Sequence, residues 1–394
     1  MYRGGPLVKN ALIWIPLLFW FCISTVFSQQ KTAAENGDWT QFHFSNMQRW
    51  NPYEKSIGVH NVKSLELKWS FPIGGELYAG PAVANGFVYM AGYSGTVYAL
   101  DANTGKKIWS YYTGGNFVSS PAMANGVVYI GSGNDYFYAL DAKTGSVLWR
   151  YYAQTKVDSS PTVVGGVVYV SLEDGEGVCA FRGTTGTKLW CAPQNANGPF
   201  DASPAVVDGK LYVGDEWYGA AYAFDAMTGG RLWPNLFVSS GQIDVGGPVV
   251  ANGVVYFYDN YGYLSALDAG DGRLLWSYVT RGLAGAAAVA NGLVYVTDTL
   301  VSGGGNTYAL DARDGTLKWT ASTGGGLSTP AVANGVVYVG SNDHDVYALN
   351  ASTGAKLWSY TTKDFVSGPP TIANGMLYVG SGDGDVYAFG LPAK

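Results

Sequence analysis

The stretch Ala-Leu-Asp-Ala-Lys-Thr-Gly-Ser-Val-Leu-Trp, Ala139 to Trp149, decides the fold, because variants of it return along the whole chain. Its last residue belongs to a series of eight tryptophans spaced 39 to 43 residues apart: Trp69, Trp109, Trp149, Trp190, Trp233, Trp276, Trp319 and Trp358. A tyrosine recurs in phase with this series: Tyr89, Tyr129, Tyr169, Tyr212, Tyr256, Tyr295, Tyr338 and Tyr378. Self-similarity at this period indicates a repeat architecture.

One unit, Val118 to Tyr151, shows what each repeat encodes. A short strand of small residues ends at the tight turn Asn125-Gly126, and a β-branched strand, a loop and an alternating strand follow. The Thr-Gly turn, whose Gly145 suits a positive φ, leads into a fourth strand that carries the Trp. The pattern therefore predicts a four-stranded antiparallel meander, the size of one propeller blade.

The number of blades follows from counting the strands at the two ends of the chain. Eight sets of the first three strands occur, but only seven are followed by a Trp-bearing fourth strand. The spare strand, "LELKWSFP" from Leu65 to Pro72, lies upstream of the first set. We predict an all-β, eight-bladed propeller whose ring is closed when this strand completes the C-terminal blade "DVYAFG". Seven blades with two loose ends is the rival count. The first strand of each repeat carries small residues. We place it innermost, because strands crowd around the propeller axis and only small side chains fit there.

The N-terminus and the charge indicate an exported protein. Residues 1–28 combine Arg3 and Lys9 with an apolar run and a small-residue cleavage site, which predicts a signal peptide, with an uncleaved anchor as the alternative. Residues 29–63 form a lead-in segment, and residues 64–394 form the propeller. The formal charge of −6 disfavours nucleic acid and anionic lipid as partners. We expect a periplasmic or secreted monomer, with no transmembrane segment after cleavage.

Two cysteines remain after the predicted cleavage, Cys179 and Cys191, both in one repeat and on strands expected to be hairpin neighbours. Export permits a disulfide between them. Two buried thiols are the alternative.

The Ala139–Trp149 phrase resembles the tryptophan-docking motif of the pyrroloquinoline-quinone-type propeller repeat, and the likeness extends from Trp39 to Phe389. The resemblance implies that the eight tryptophans pack against neighbouring blades and are structural. It implies the same for the Asp-x-x-Thr-Gly turns. Arg182 and Asn350 stand where other copies have Asp, and we expect them to loosen those turns.

The family includes two functional branches. Quinoprotein dehydrogenases carry pyrroloquinoline quinone and Ca²⁺ at the channel mouth, with an adjacent Cys-Cys disulfide under the quinone. Here the cysteines are twelve residues apart and no C-x-x-C-H haem motif occurs. The chain is more similar to the non-catalytic branch, which includes the propeller subunit of the outer-membrane β-barrel assembly machine. That branch implies a binding or scaffold module without an assigned cofactor. A quinone-dependent dehydrogenase, or a remnant that binds quinone or Ca²⁺, is the alternative.

The loops between second and third strands vary from blade to blade, and function on a scaffold concentrates in such loops. They are acidic and aromatic, and the candidates for contact with a protein or cell-surface ligand are Asp215, Glu216, Trp217, Tyr218, Tyr261 and His344. The alternative is that Asp and Asn simply make turns. Asp343-His344-Asp345 is too short for a Ca²⁺ loop, so we assign no metal ligands.

The channel mouth on the same face is the second candidate. Near the Pro that opens each first strand, the repeats supply Tyr78, Asp158, Asp201 and Asp244. Converging carboxylates bind a cation or raise one another's pKa, whereas a hydrated channel lining is the alternative. No base–nucleophile pair accompanies them, so we assign no catalytic residues and favour binding over catalysis.

Overall fold

The computed structural model describes residues 37–172, 176–192, 200–215, 218–234, 237–239, 247–280, 282, 285–300, 304–326 and 328–393. The predicted signal peptide lies outside these ranges, as do three candidate residues, Glu216, Trp217 and Asp244.

The first half of the chain begins with two strands of the N-terminal region, β1 (Trp50–Asn51) and β2 (Glu66–Pro72), on either side of a short 3₁₀ helix, Val62–Ser64. Four blades follow. Blade 1 comprises β3 (Ala82–Ala84), β4 (Phe87–Ala91), β5 (Thr96–Asp101) and β6 (Lys107–Tyr112). Blade 2 comprises β7 (Ala122–Ala124), β8 (Val127–Gly131), β9 (Tyr136–Asp141) and β10 (Val147–Tyr152). Blade 3 comprises β11 (Thr162–Val164), β12 (Val167–Leu172), β13 (Gly177–Arg182) and β14 (Lys188–Cys191). Blade 4 comprises β15 (Ala205–Val207), β16 (Lys210–Gly214), β17 (Ala220–Asp225) and β18 (Phe237–Val238).

The second half repeats the pattern. Blade 5 comprises β19 (Val249–Ala251), β20 (Val254–Tyr258), β21 (Tyr263–Asp268) and β22 (Leu274–Val279). Blade 6 comprises β23 (Ala288–Ala290), β24 (Leu293–Thr297), β25 (Asn306–Asp311) and β26 (Leu317–Ser322). Blade 7 comprises β27 (Ala331–Ala333), β28 (Val336–Gly340), β29 (Asp345–Asn350) and β30 (Lys356–Thr361). Blade 8 comprises β31 (Thr371–Ala373), β32 (Met376–Gly380), β33 (Asp385–Gly390) and the N-terminal strand β2.

The predicted closure of the ring is confirmed. Strand β2 pairs antiparallel with β33, from Glu66 opposite Gly390 to Pro72 opposite Asp385. The eighth blade therefore takes its outer strand from the beginning of the chain and its other three from the end. This pairing holds the ring shut without a covalent link and leaves β33 no free edge.

Two faces are defined by the strand directions. The turn face carries the tight turns between first and second strands and the Thr-Gly turns. The loop face carries the loops between second and third strands and the links between blades. On the turn face both central residues of the first turn have positive φ, as in Asn125 (51°) and Gly126 (78°), the signature of a type I′ hairpin.

Each of the eight tryptophans joins its blade to the next. The indole N–H of Trp109 donates to the Ala142 carbonyl at 2.9 Å, and Tyr89 of the same blade donates to that carbonyl at 3.2 Å. Equivalent indole bonds are made by Trp69, Trp149, Trp190, Trp233, Trp276, Trp319 and Trp358. Adjacent blades are thus tied by directed hydrogen bonds as well as by apolar packing.

The junction between blades 7 and 8 lacks one of these two hydrogen bonds. Trp358 donates to the Leu65 carbonyl, just before β2, because blade 8 takes its fourth strand from β2 and has no Thr-Gly turn between its third and fourth strands. The Tyr338 hydroxyl of blade 7 has no hydrogen-bond partner among the described residues. The junction of blades 7 and 8 therefore lacks the tyrosine hydrogen bond that Tyr89 makes at the junction of blades 1 and 2.

The two unusual Thr-Gly turns keep their backbone hydrogen bonds. Asn350 replaces the usual carboxylate with its amide oxygen, which accepts from Ser352 and Thr353 at 2.9 and 3.1 Å. At Arg182 the backbone bond from Gly186 remains, at 2.8 Å. The substitutions alter side-chain contacts and leave the backbone of both turns intact.

The lead-in segment runs inside the ring at the turn-face end. Its backbone carbonyls accept from the central N–H groups of the innermost strands: Trp39 accepts from Val83 and Thr40 accepts from Met123, both at 2.7 Å. Continuing round the ring, Gln41 Oε1 accepts from Val163, and the carbonyls of Met47, Gln48 and Arg49 accept from Val250, Val289 and Val332. The segment 39–51, here called the plug, thereby pairs the channel-facing edges of six blades.

The plug also changes one sheet from the predicted four strands to five. Strand β1 pairs parallel with β27, with Trp50 opposite Val332 and Asn51 opposite Ala333. Repeat periodicity gave no sign of it, because the lead-in segment is not part of any repeat. Helix is confined, within the described ranges, to the 3₁₀ turn, and none of it has the length and apolarity needed to span a membrane.

Candidate functional site

The channel mouth on the loop face is bordered by an aromatic cluster centred on Tyr78. The Tyr78 ring lies 5.8 Å from that of Tyr93 in an edge contact and 6.0 Å from that of Phe365. These rings come from the link into blade 1, the loop of blade 1 and the link into blade 8. We call Tyr78, Tyr93 and Phe365 the mouth cluster. Because three chain segments meet there, its shape depends on the closed ring.

A carboxylate fixes the polar end of the mouth cluster. The Tyr78 hydroxyl donates to Glu76 Oε2 at 2.5 Å. This hydrogen bond is the main cause that raises the pKa of Tyr78 to about 12, with burial next. Tyr78 therefore stays protonated at neutral pH and donates its hydroxyl hydrogen to Glu76.

His344 and Asp364 stand beside the cluster. His344 Nε2 lies 3.9 Å from Asp364 Oδ1, and both side chains are nearly half exposed. His344 has φ +76°, a conformation that Gly384 holds at the matching position of blade 8 (+82°). The backbone of a non-Gly residue is strained at this φ, and strain of this kind concentrates at functional positions.

The carboxylates predicted at the mouth are placed differently from one another. Asp158 Oδ2 is paired with Lys156 Nζ at 2.8 Å, and Asp201 is 6% exposed. Each thus sits in its own environment, one neutralised by a lysine and one buried in the wall.

The loop carboxylates mostly support their own loops. Asp343 accepts from the Tyr347 hydroxyl at 2.6 Å, and Asp259 Oδ1 accepts from the backbone N–H groups of Tyr261 and Tyr263. Asp215, Asp259 and Asp298 are all essentially buried. The interpretation of these acidic residues as turn makers therefore has direct geometric support.

Four tyrosines on the loop face are more than half exposed. Tyr218 is 53% exposed and Tyr261 is 67% exposed, and Tyr112 and Tyr152, at the ends of β6 and β10, are 69% and 54% exposed. Sequence reasoning missed Glu76, Tyr93, Phe365, Tyr112 and Tyr152. A search for aromatic residues next to each loop and link, rather than for acidic runs, would have found four of these five.

The disulfide joins the third and fourth strands of blade 3. Cys179 and Cys191 are directly opposite on β13 and β14 and are joined by a disulfide, with Cα atoms 4.0 Å apart. The Glu176 carboxylate lies within 4.8 Å of both sulfurs. Because the sulfurs are bonded to each other, this group does not form a metal site.

The residues described at the mouth do not match the quinone and Ca²⁺ that the quinoprotein branch implies. The disulfide staples outer strands of blade 3 instead of underlying the channel. Asp158 is held by Lys156, and Tyr78 is tied to Glu76. These groups do not present a joint oxygen ligand set for Ca²⁺. We derive no redox step from them.

Comparison with solved structures supports the fold. Quinohemoprotein alcohol dehydrogenase from Comamonas testosteroni superposes with a TM-score of 0.79 at 18% identity, covering 95% of this chain and 84% of that one. BamB from Moraxella catarrhalis gives 0.67 at 20% identity, covering 84% and 98%. At these identities the likeness establishes the propeller architecture alone.

Curated relatives match over short stretches. Lupanine 17-hydroxylase [cytochrome c] from a Pseudomonas species is 32% identical over 107 residues, which cover 25% of this chain and 15% of the relative. Quinoprotein alcohol dehydrogenase PedH from Pseudomonas putida is 40% identical over 65 residues, covering 16% and 11%. The chain thus aligns with less than a sixth of the length of either relative.

A family model matches much more of the chain. The model described as outer membrane protein assembly factor BamB aligns in four overlapping segments, 54–135, 122–235, 218–329 and 304–391. Together these segments run from the lead-in through every blade of the ring. The chain therefore belongs to this family of pyrroloquinoline-quinone-type propellers.

Proposed function

We propose that this protein is a periplasmic or secreted, monomeric scaffold that holds a protein partner on its loop face around the mouth cluster. The observation that carries the proposal is the set of exposed tyrosines on the loop face, of which the first belongs to the mouth cluster: Tyr93, Tyr112, Tyr152, Tyr218 and Tyr261. Tyrosine is enriched among residues that dominate binding energy at protein interfaces. The plug occupies the opposite end of the channel, which leaves the loop face as the face free to vary.

Charge narrows the chemistry of the partner. Glu76 and Asp364 flank the mouth cluster, and the whole chain carries a formal charge of −6. Carboxylates beside exposed rings suit a partner segment with Lys or Arg next to apolar side chains, because opposite charges steer association. His344 and the predicted contacts Glu216 and Trp217, the latter two outside the described ranges, belong to the same surface in this proposal. A ligand on a cell surface is the alternative to a protein partner on this face.

Family membership supports the same reading. The family model is described as an assembly factor, and the Moraxella catarrhalis propeller of that name shares the architecture. A scaffold function requires a closed ring with loops that differ from blade to blade, and the closed ring and the unequal loops described above support the proposal.

The test uses a photo-reactive amino acid at Tyr93, with Tyr53 as the matched control. Tyr53 is similarly exposed, 40% against 47%, but it belongs to the lead-in segment at the turn face. The full chain is expressed with either substitution and irradiated in intact cells. The proposal expects a discrete adduct at position 93 and none at position 53.

The adduct partner is then purified, and its affinity is measured for the Tyr93→Ala and Tyr53→Ala variants. A loss of about tenfold or more for Tyr93→Ala, against less than twofold for Tyr53→Ala, is expected for a hot-spot tyrosine. Equal adducts at both positions, or equal affinities, would contradict the proposal.

The relatives also favour a second candidate, a quinone-dependent dehydrogenase or a remnant that binds quinone. Thermal unfolding with and without pyrroloquinoline quinone plus Ca²⁺ tests it, because a ligand that binds the folded state alone raises the midpoint. A saturable rise would replace the scaffold proposal with the dehydrogenase. An unchanged midpoint at concentrations well above micromolar would remove this candidate.

A further inference from the structure

Three side chains of the types that bind metal ions converge at the disulfide of blade 3. Glu176 Oε2 lies 3.0 Å from Cys191 Sγ and 3.8 Å from Cys179 Sγ. The sulfurs of an intact disulfide carry no hydrogen, so neither contact is a hydrogen bond to the carboxylate. The disulfide form therefore gives no reason for the carboxylate to face these sulfurs.

A lysine of the same hairpin holds the carboxylate in this orientation. Lys188 Nζ donates to Oε1 and Oε2 of Glu176 at 2.7 and 2.6 Å, and it also lies 3.1 Å from the Tyr151 hydroxyl. The ion pair fixes the carboxylate with Oε2 beside both sulfurs. A ligand oriented by a hydrogen bond from an outer residue is the usual arrangement around metal ions in proteins.

The backbone keeps the two cysteines opposite each other independently of their bond. Ala180 pairs with Trp190 on one side of them. On the other side, the Ala192 N–H donates to the Val178 carbonyl at 2.9 Å. Reduction of the disulfide therefore leaves two thiols facing each other on a paired hairpin. Their sulfurs can then separate by rotation of the side chains alone.

We infer that the reduced hairpin binds Zn²⁺ through Cys179, Cys191 and Glu176, with water as the fourth ligand. Zn–S bonds of about 2.3 Å and a Zn–O bond of about 2.0 Å place sulfur and oxygen ligands of a tetrahedral site about 3.5 Å apart. The observed sulfur–oxygen distances of 3.0 and 3.8 Å lie on either side of this value. Only the two sulfurs have to move, from bonding distance to about 3.8 Å.

Charge and access also suit this ion. Two thiolates and one carboxylate carry three negative charges, which Zn²⁺ and the Lys188 ammonium balance together. Cys179 is buried, but Cys191 is half-buried and the Glu176 side chain is 33% exposed. The metal and its water can therefore reach the site from solvent. Thiolate ligands select Zn²⁺ over Mg²⁺ and Ca²⁺.

The disulfide controls whether this site exists. A thiolate of a dithiol reductant attacks the half-buried sulfur of Cys191, and Cys179 leaves as a thiolate. The second thiol of the reductant then displaces Cys191, so the reductant becomes a disulfide and its two hydrogens pass to the two cysteines. Zn²⁺ binding releases these two protons. Oxidation of the cysteines closes the site again.

The experiment measures Zn²⁺ binding to the full chain in its oxidised form and after reduction with a phosphine. Every sample carries Cys22→Ser, so that the cysteines of blade 3 are the only thiols. Competition with a chromogenic chelator gives the Kd. A parallel Co²⁺ titration reports tetrahedral thiolate coordination through its charge-transfer absorption. Glu176→Gln removes the oxygen ligand, and Glu66→Gln is the matched control, because Glu66 is also paired with a lysine at 2.6 Å.

The inference expects one Zn²⁺ per reduced chain and none of comparable affinity in the oxidised chain. Glu176→Gln should weaken binding at least about tenfold, since loss of even an outer partner costs about 10–100-fold. Glu66→Gln should leave the Kd unchanged, and Cys191→Ser should abolish the Co²⁺ charge-transfer absorption.

Four results would each overturn the inference. They are no Zn²⁺ uptake by the reduced chain, equal uptake by the oxidised and reduced chains, equal Kd values for Glu176→Gln and Glu66→Gln, and loss of the folded circular-dichroism spectrum on reduction. The last result counts because the site requires the paired hairpin, whereas an unfolded dithiol would bind Zn²⁺ without Glu176.

Discussion

The two ends of the ring differ in what holds them in place. At the turn face, hairpins repeat with nearly constant φ values, and the plug pairs the channel edge of six blades. At the loop face, loops differ in length, their buried carboxylates support each loop separately, and tyrosines face solvent. The comparison teaches that hydrogen bonds from one common segment connect the blades at the plugged end, whereas each loop at the other end is supported by its own carboxylate. The predictions below test this division, from the largest expected effect to the smallest.

Removing the guanidinium of the plug should be the most damaging single change. Arg49→Met leaves three buried carbonyls without a donor, and we expect a loss of about 3–5 kcal/mol in the free energy of unfolding. These are the carbonyls of Phe42, Pro330 and Pro370. The loss in the free energy of unfolding for Arg49→Lys should be smaller than that for Arg49→Met but still clear, because a single ammonium cannot reach three oxygens. Denaturant unfolding measures the effect. Arg150→Met, on an exposed outer strand, is the control and should cost under about 1 kcal/mol. Equal losses at both positions would refute a special role for the plug.

Two glycines of the turn face separate backbone strain from packing. Gly145 has φ +73°, and a Cβ there would lie 2.5 Å from Trp109 Cε3, whereas Gly126 has φ +78° with nothing within 4 Å. Gly145→Ala should cost about 2–4 kcal/mol, combining strain with overpacking. Gly126→Ala should cost about 1 kcal/mol from strain alone. Similar costs, measured by denaturant unfolding, would show that the Trp contact does not constrain the turn.

The buried imidazole should make the protein sensitive to acid. Burial lowers the pKa of His43 from 6.5 to about 3, so between these values the unfolded chain binds a proton that the folded chain does not. Stability should therefore fall as pH falls through this window, by about 2 kcal/mol from His43 between pH 7 and pH 5. The measurement is unfolding at both pH values in chloride buffers. In His43→Leu the decrease should shrink by this amount, and an unchanged decrease would exclude His43 as its source.

The smallest effect is expected on the loop face. His344→Gly relieves a φ of +76° and should stabilise the fold by up to about 1 kcal/mol. Asp135→Gly, at the matching loop position of blade 2 with φ +69°, is the parallel case. If the strain at His344 serves binding, His344→Gly should lose affinity for the crosslinked partner, whereas Asp135→Gly should keep it. Greater stability with unchanged affinity would assign His344 to the loop backbone.

Blade number, strand order and closure were predictable because each repeat specifies its own strands and turns, and the repeats recur along the chain. Trp69 reveals the spare strand by its phase in the series, and β2 indeed pairs with β33. The mouth cluster was only partly predictable. Tyr78 stood out by its position before Pro81, whereas Tyr93 and Phe365 come from a loop and a link whose meeting depends on how blades 8 and 1 are joined.

The sequence by itself determined the repeat, and with it the all-β propeller, because alternation, tight turns and periodic tryptophans act within about forty residues. Tertiary structure alone decided the plug and the residues above it. The plug binds backbone N–H groups of the innermost strands, and backbone groups leave no side-chain signature in a sequence. His43 and Arg49 acquire their unusual environment only when eight blades close around them.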